Sequence, residues 1–134
     1  MFRCLEWGGT YTVLTAGYNH SLSTAHVVKN DIYAIDIRTG VKRRIRPEAD
    51  ESPVTLLRVS YYQCYLALAF QREPLEIWDL KETRLYHVVV KGLHVKDGKE
   101  VNTQWKSGGW SIRNMAWKDE MLAMGDAEGR IIVS

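Results

Sequence analysis

Histidines and cysteines are the residues of this chain that would carry metal or nucleophilic chemistry. No two of the histidines lie at ligand spacing with a cysteine or carboxylate on one element, whereas a zinc site needs three or four convergent ligands. Cys4 and Cys64 form no CxxC pair, and their apolar surroundings predict two small buried side chains. The sequence therefore predicts no metal site and no cofactor. The histidines considered are His20, His26, His87 and His94.

Other catalytic motifs are also missing from the sequence. There is no Gly-x-Ser-x-Gly elbow and no His-Glu-x-x-His. Lys106–Gly109 superficially suggests a phosphate loop, but its lysine precedes the glycines, which predicts a turn. The carboxylates of Glu48, Asp50 and Glu51 cluster between two prolines without any sign of a cleft, which predicts a solvated loop. We therefore expect a protein that is not an enzyme.

One basic run, Lys42–Arg46, places four cations within five residues. Its side chains Arg43, Arg44 and Arg46 could contact phosphates or form part of a nuclear import signal. The alternative is an exposed outer strand whose edge is protected by charge. The acidic residues 48–51 follow immediately and would partly neutralise the run, which favours the exposed strand.

Aromatic side chains are the remaining candidates for binding. Tyr61, Tyr62 and Trp105 lie in segments that are expected to end strands. Tyrosine and tryptophan are typical anchors of protein interfaces. These three residues, together with the three arginines of the basic run, are the candidate partner-binding residues.

Composition and hydrophobic spacing indicate which elements must position these residues. The chain has 134 residues, of which 46% are apolar and 25% charged, and a formal net charge of +2, as in a folded globular protein. No apolar run approaches the roughly 18–20 residues of a membrane span, and no secretory signal is evident. Apolar residues alternate with period two in short segments, separated by turn signals such as Thr39-Gly40 and Glu128-Gly129. This pattern predicts an all-β chain.

One strand pattern occurs more than once. The segment 66–78 aligns without a gap with the segment 122–134, and each reads as a strand beginning Leu-Ala, a polar turn and a second strand. Another strand precedes each hairpin. A fainter copy aligns Asn30–Asp36 with Glu73–Asp79, at the ~40–45-residue spacing of one propeller blade. The chain is therefore built from repeats.

These repeats resemble the WD-repeat family. The stretch Ile35–Gly40 followed by Tyr65–Leu80 is similar to part of the second propeller of one member, and Met115–Gly129 to a later piece of it. The Trp-Asp pair occurs once, and the Gly-His pair that opens many WD repeats is absent. The signature residues are Leu66, Ala67, Trp78, Asp79, Trp117, Leu122, Ala123, Gly125, Asp126 and Gly129.

The resemblance implies that these signature residues are scaffold. A blade is a four-stranded antiparallel sheet that must pack against its neighbours. Small residues at Ala69 and Gly125 would let adjacent sheets approach, while the leucines fill the space between them. Asp126 would order its hairpin, and Asp79 the turn after its strand.

The predicted fold is a partial WD-repeat β-propeller of about two and a half four-stranded antiparallel blades. The blades are expected at residues 1–46, 53–92 and 110–134, with 93–109 as a linker. Four to eight blades close a ring, so a closed propeller requires at least roughly 160 residues. Two blade faces are therefore expected to be exposed, with the missing blades supplied by a longer parent.

The predicted function is a non-catalytic protein–protein interaction scaffold. Rigid blades would hold the loops Gln71–Pro74, Asp126–Gly129 and Pro47–Ser52 at the rims for other proteins. The resemblance implies a cytoplasmic role in vesicle capture at the trans-Golgi network. Two alternatives stay open, namely a nuclear or nucleic-acid-binding module acting through Lys42–Arg46 and a truncated fragment without independent function.

Overall fold

The computed structural model describes residues 2–20, 27–60, 62, 64–104 and 112–134. All regular structure in these ranges is β-strand, which confirms the predicted all-β class. None of the described residues forms a helix that could cross a membrane. The strands are β1 (Phe2–Trp7), β2 (Thr12–His20), β3 (Val28–Asp36), β4 (Lys42–Arg44), β5 (Asp50–Glu51), β6 (Val54–Val59), β7 (Tyr65–Phe70), β8 (Leu75–Asp79), β9 (Arg84–Val89), β10 (Lys91–Lys96), β11 (Lys99–Gln104), β12 (Ile112–Lys118), β13 (Met121–Asp126) and β14 (Ile131–Val133).

The first two blades are antiparallel sheets whose strands follow chain order. In blade 1 the order is β1-β2-β3-β4, and the short strand β5 pairs with the other end of β3. In blade 2 the order is β6-β7-β8-β9. Hairpin connections of this kind need only short turns, so each blade forms from one continuous segment.

The third blade is completed by strands from the predicted linker. Its order is β11-β10-β14-β13-β12, so the hairpin β10–β11 pairs with the edge of β14. The predicted linker, residues 93–109, is therefore wrong over its described part, residues 93–104, whereas residues 105–109 lie outside the described residues. Asp97 and Gly98 both have positive φ, 54° and 76°, which is the requirement of a type I′ hairpin turn. The Asp-Gly pair was the sequence signal for this hairpin.

The blades pack face to face through two hydrophobic cores. The first core joins Leu14 and Ile32 of blade 1 to Leu66, Leu68 and Trp78 of blade 2. The second core lies between blades 2 and 3, and its members are Ala67, Ala69, Leu75, Ile77, Val89, Met115, Leu122, Met124 and Ile132. The strand β7 is therefore buried on both faces, as a central blade of a propeller must be.

The innermost strands β1, β6 and β12 share one irregularity. Each has a shift of register near its start, at Phe2/Cys4, Val54/Leu56 and Ile112/Asn114. Such bulges bend a strand and increase its twist. Their recurrence at equivalent places indicates that the three sheets are copies of one blade, and the partial propeller predicted from the sequence is confirmed.

Two predictions about burial are wrong. Cys64 is exposed and Cys4 only half-buried, so the two cysteines are not the buried pair that their apolar neighbours indicated. Glu51 is buried, although the acidic segment 48–51 was predicted to be a solvated loop. In both cases local apolar or charged neighbours determined the prediction, whereas burial depends on which face of the sheet the side chain occupies.

Candidate functional site: a pocket at the rim between blades 2 and 3

A pocket of about 490 Å³ opens at the rim where blades 2 and 3 meet. We call it the rim pocket. It is formed by the turn between β6 and β7 and by the turn between β12 and β13, which lie side by side because the innermost strands of adjacent blades are neighbours. Its lining residues are Ser60, Tyr62, Cys64, Tyr65, Lys118, Asp119, Glu120 and Met121.

Two aromatic side chains, Tyr62 and Tyr65, form the aromatic wall of the rim pocket. The ring of Tyr65 lies 5.0 Å from that of Tyr86 and 6.3 Å from that of Trp117, measured between centroids. Trp117 is held in place because its Nε1 donates to the backbone oxygen of Arg58 at 3.1 Å. Ring contacts with Tyr86 and Trp117 therefore hold Tyr65 in this wall across two blades.

Tyr62 extends the aromatic surface outward. It is 72% exposed, and the Cys64 thiol donates to its backbone oxygen at 3.5 Å.

Burial raises the pKa of the Tyr65 hydroxyl, and the nearby Tyr86, Glu120 and Asp79 raise it further. The phenol of Tyr65 therefore stays neutral at physiological pH, beside Tyr86 and the carboxylates of Glu120 and Asp79.

The acidic edge of the pocket comes from the turn between β12 and β13. Asp119 has a φ of 52°, a conformation that aspartate tolerates better than most residues. The tight turn places Asp119 and Glu120 side by side, and both are exposed. Lys118 also lines the pocket, so two negative charges face one positive charge.

This arrangement suits a ligand group with an apolar stem and a positive tip. Aromatic faces attract cations through the ring quadrupole, and carboxylates pair with them. No group of three or more potential metal ligands occurs among the described residues. The rim pocket therefore has the chemistry of a recognition site for a basic side chain.

Two arginines of the basic run, Arg44 and Arg46, form ion pairs within the chain. Arg44 Nη2 lies 3.0 Å from Asp31 Oδ1 and 3.3 Å from Glu48 Oε1. Arg46 is buried and outside β4, which corrects the prediction of an exposed strand over the whole run. Arg43 is exposed, and its Nη1 donates to Thr83 Oγ1. The arginines of this run are therefore not aligned for contact with phosphates.

Arg46 instead joins blades 1 and 2. Its Nε donates to Glu76 Oε1 at 2.8 Å, its Nη2 donates to Glu51 Oε2 at 2.7 Å, and its guanidinium carbon lies 4.9 Å from the Phe70 ring centroid. Burial lowers the pKa of Arg46, but its hydrogen bonds with Glu76 and Glu51 outweigh this effect, so the pKa lies above its ordinary value. Glu76 Oε1 also accepts from Trp78 Nε1 at 2.8 Å. We call Arg46, Glu51 and Glu76 the interblade latch.

The signature aspartates order turns. Asp79 Oδ1 accepts the backbone N–H groups of Lys81 at 2.9 Å and Glu82 at 3.0 Å. Asp126 Oδ1 accepts the N–H groups of Glu128 and Arg130 at 3.1 and 2.8 Å, and its Oδ2 accepts from Arg130 Nε. Each carboxylate thus holds the turn that the sequence assigns to it.

Four of the other signature residues lie in the cores, whereas Gly125 does not have the packing role that the sequence predicted for it. Leu66, Ala67 and Leu122 are fully buried and Trp78 is 7% exposed. A Cβ added to Gly125 would meet nothing within 4 Å, so Gly125 does not mediate a close approach of sheets. The reason is that Gly125 lies on the outward face of blade 3. Gly129 has a φ of 83° and serves the turn itself. Ala123 is half-buried on the same outward face as Gly125, and Trp117 is half-buried beside Tyr65.

The predicted partner-binding aromatics fall into two groups. Tyr62 lines the rim pocket, whereas Tyr61 and Trp105 lie outside the described residues. Sequence reasoning missed Tyr65 as a pocket residue and Tyr86 as its neighbour because both occur within strands. Their spacing carries no signal, since they converge only through the pairing of β7, β8 and β9 and the packing of blade 3.

The loops predicted to bind partners lie at the opposite rim. Ser52 of the 47–52 segment donates its backbone N–H to Glu73 Oε1 at 3.0 Å, and its Oγ accepts from Arg72 N at 2.9 Å. These bonds tie the segment to the β7–β8 turn. The loops 71–74 and 126–129 connect equivalent strands of blades 2 and 3.

Comparisons with known proteins agree with this architecture. No protein-family model matches the chain. Over 93 residues, or 66% of the chain, it is 32% identical to WD repeat-containing protein 11 of Mus musculus and of Homo sapiens, and it spans 8% of the length of each. It is 33% identical over 67 residues to WD repeat-containing protein 11 of Danio rerio.

Solved structures show the same fold. Nearly all of the chain, 98%, superposes on 32% of a WD40 propeller chain in the crystal structure of a mitotic checkpoint complex. The TM-score is 0.65 at 14% identity, so this likeness concerns the fold alone. The resemblance predicted from the sequence is confirmed. The chain is similar to a part of WD repeat-containing protein 11, and its fold is a partial β-propeller.

Proposed function

We propose that this chain is a non-catalytic scaffold that binds a segment of another protein in the rim pocket. Similarity to WD-repeat proteins supports a protein-interaction scaffold in general. The observation that carries the proposal is the meeting of an aromatic wall, Tyr62 and Tyr65, with two exposed carboxylates, Asp119 and Glu120, at one opening. Loops and turns on a rigid framework are the usual place for such sites.

The ligand that fits best is a lysine or arginine flanked by apolar residues. Its stem would cover the aromatic wall, and its charged end would reach Asp119 and Glu120 at the edge. A cation over an aromatic ring contributes about 0.5–1 kcal/mol at exposed sites. Lys118 leaves a net charge of one negative unit among the lining side chains, which favours one basic residue over a cluster.

Peptide binding measured by fluorescence anisotropy of labelled peptides tests this proposal. An array of peptides with one Lys or Arg between apolar residues is compared with the same peptides carrying Gln. We expect binding to the basic peptides, and about a fivefold weaker affinity for Tyr62→Ala, from the roughly 1 kcal/mol of an exposed cation–π contact. Glu120→Gln should also weaken it. Glu82→Gln, in the exposed β8–β9 turn, is the control and should leave the affinity unchanged. Equal binding of the basic and Gln peptides would contradict the proposal.

We further propose that the scaffold acts on the cytoplasmic side of membranes, in the capture of vesicles at the trans-Golgi network. The support is the resemblance to the WD-repeat family alone. Because the chain spans less than a tenth of its mouse and human relatives, blades of a longer parent are further proposed partners. Imaging of the fluorescently tagged chain beside a trans-Golgi marker tests the location, and a purely nuclear signal would contradict it.

A further inference from the structure

The turn between β12 and β13 brings three charged side chains of both signs to the rim pocket. Lys118, the last residue of β12, pairs with Met121, the first residue of β13, so Asp119 and Glu120 form a two-residue turn. The three charged residues are exposed and line the pocket. The pocket therefore offers a positive group beside its two carboxylates.

These three charges take part in none of the ion pairs formed among the described residues. Every aspartate and glutamate of the chain lies within the described ranges, so no carboxylate elsewhere in the chain neutralises Lys118. Arg44 and Arg46, in contrast, are each held by two carboxylates. The ammonium of Lys118 is therefore available to a ligand in the rim pocket.

The blade fold does not require charges in this turn. The equivalent turns of the other two blades, residues 8–11 between β1 and β2 and residues 60–64 between β6 and β7, contain no charged residue. In blade 2 the turn is closed by Ser60, whose Oγ accepts the backbone N–H of Tyr65 at 3.0 Å. The charges of Lys118, Asp119 and Glu120 therefore indicate recognition by the pocket rather than formation of the turn.

The spacing of the opposite charges matches that of an extended peptide. Lys118 and Glu120 are two positions apart, and Glu120 lies near the Tyr65 hydroxyl, whose pKa its charge helps to raise. In an extended peptide, side chains two positions apart point to the same side and are separated by roughly 6.6 Å, since each residue advances the chain by about 3.3 Å. Two such side chains can therefore reach Glu120 and Lys118 at once.

We propose that the rim pocket recognises a pair of opposite charges, a lysine or arginine and an acidic residue two positions away, in an extended segment of another protein. The inference rests on the proposed function, in which the basic side chain covers the aromatic wall and pairs with Asp119 and Glu120. The acidic side chain pairs with Lys118, and the residue between the two points away from the pocket. A second basic residue at the acidic position would meet Lys118 and be repelled.

Fluorescence anisotropy of labelled peptides with the 134-residue chain tests this proposal. Each peptide carries one Lys, then one apolar residue, then Glu, Gln or Lys, and a second series has the reverse order. In one of the two orders the Glu peptide should bind about two- to fivefold more tightly than the Gln peptide, as expected for an exposed ion pair. The Lys peptide should bind more weakly than the Gln peptide. High salt should reduce these differences because it screens exposed charges.

Variants of Lys118 test whether this residue reads the acidic position. Lys118→Gln should bind the Glu and Gln peptides equally, and Lys118→Glu should reverse the order and bind the Lys peptide best. Lys99→Glu makes the same charge change at an exposed residue outside the pocket and should keep the preference of the unaltered chain. Circular dichroism of each variant shows whether its strands are retained.

Two results would overturn the charge-pair proposal alone. One is equal binding of the Glu and Gln peptides to the unaltered chain, and the other is a preference that persists in Lys118→Gln. In both cases the proposed function stands as long as replacing the basic residue of the peptide by Gln still weakens binding. Failure of every peptide to bind would overturn the proposed function and this inference together.

Discussion

Replacing Arg46 by methionine should destabilise the contact between blades 1 and 2. The guanidinium of Arg46 is held by Glu51 and Glu76, whose side chains are only 7% and 16% exposed. Methionine preserves much of the aliphatic volume but leaves two carboxylates facing each other without a cation. Removing one partner of a buried ion pair costs about 3–5 kcal/mol, a large share of the roughly 5–15 kcal/mol that stabilises a typical protein. We expect the free energy of unfolding to fall by about 3–5 kcal/mol.

Urea unfolding followed by tryptophan fluorescence measures this loss because Trp78 Nε1 donates to Glu76. Adding Glu51→Gln and Glu76→Gln to Arg46→Met removes the uncompensated charges and should recover most of the stability. The control Lys29→Met breaks an ion pair with Asp50 that is about half exposed, and should cost less than about 1 kcal/mol. The reasoning is refuted if Arg46→Met costs no more than Lys29→Met, or if the triple variant is less stable than the single one.

Three further changes test other parts of the structure. Gly92→Ala should cost about 1–3 kcal/mol in thermal unfolding, because its Cβ would lie 2.5 Å from Ile132 Cγ2; a neutral result would contradict the pairing of β10 with β14. Asp79→Ala should cost about 1 kcal/mol through two lost turn bonds, and Asp79→Asn, which keeps the acceptor, should cost less in the same assay. The raised pKa of Tyr65 means that its contribution to stability is complete below about pH 10 and is lost as the pH rises through the folded-state pKa. In urea unfolding, the free energy of unfolding of Tyr65→Phe should therefore fall less at alkaline pH than that of the unaltered chain. An equal fall in both would contradict the raised pKa of Tyr65.

The strands could be predicted because their signals are local. Their runs of apolar, β-branched and aromatic residues predict strands over Val54–Val59 and Tyr65–Phe70, and β6 and β7 have these bounds in the structure. Alternation of apolar residues and the turn residues between them act over a few positions, so a single sequence carries them. The hairpin β10–β11 was missed because its residues are mostly polar, even though Asp97-Gly98 is a strong turn signal.

The rim pocket could be predicted only in part. Tyr62 was selected as an aromatic residue at the end of a strand, and the structure places it in the pocket. Tyr65 and Trp117 are 52 positions apart in the sequence and meet because two blades pack face to face. No spacing rule reaches across that distance.

The sequence by itself determined the repeat and the all-β class, since these follow from periodicity and turn chemistry. Only the tertiary structure decided which charged side chains are exposed to solvent and which are buried. Lys42–Arg46 reads as one basic run, but the pleat and the end of β4 direct Arg43 to solvent and turn Arg46 into the latch with Glu51 and Glu76. The physical reason is that burial depends on the face a residue occupies and on what packs against that face, and both are set by residues far away in the chain.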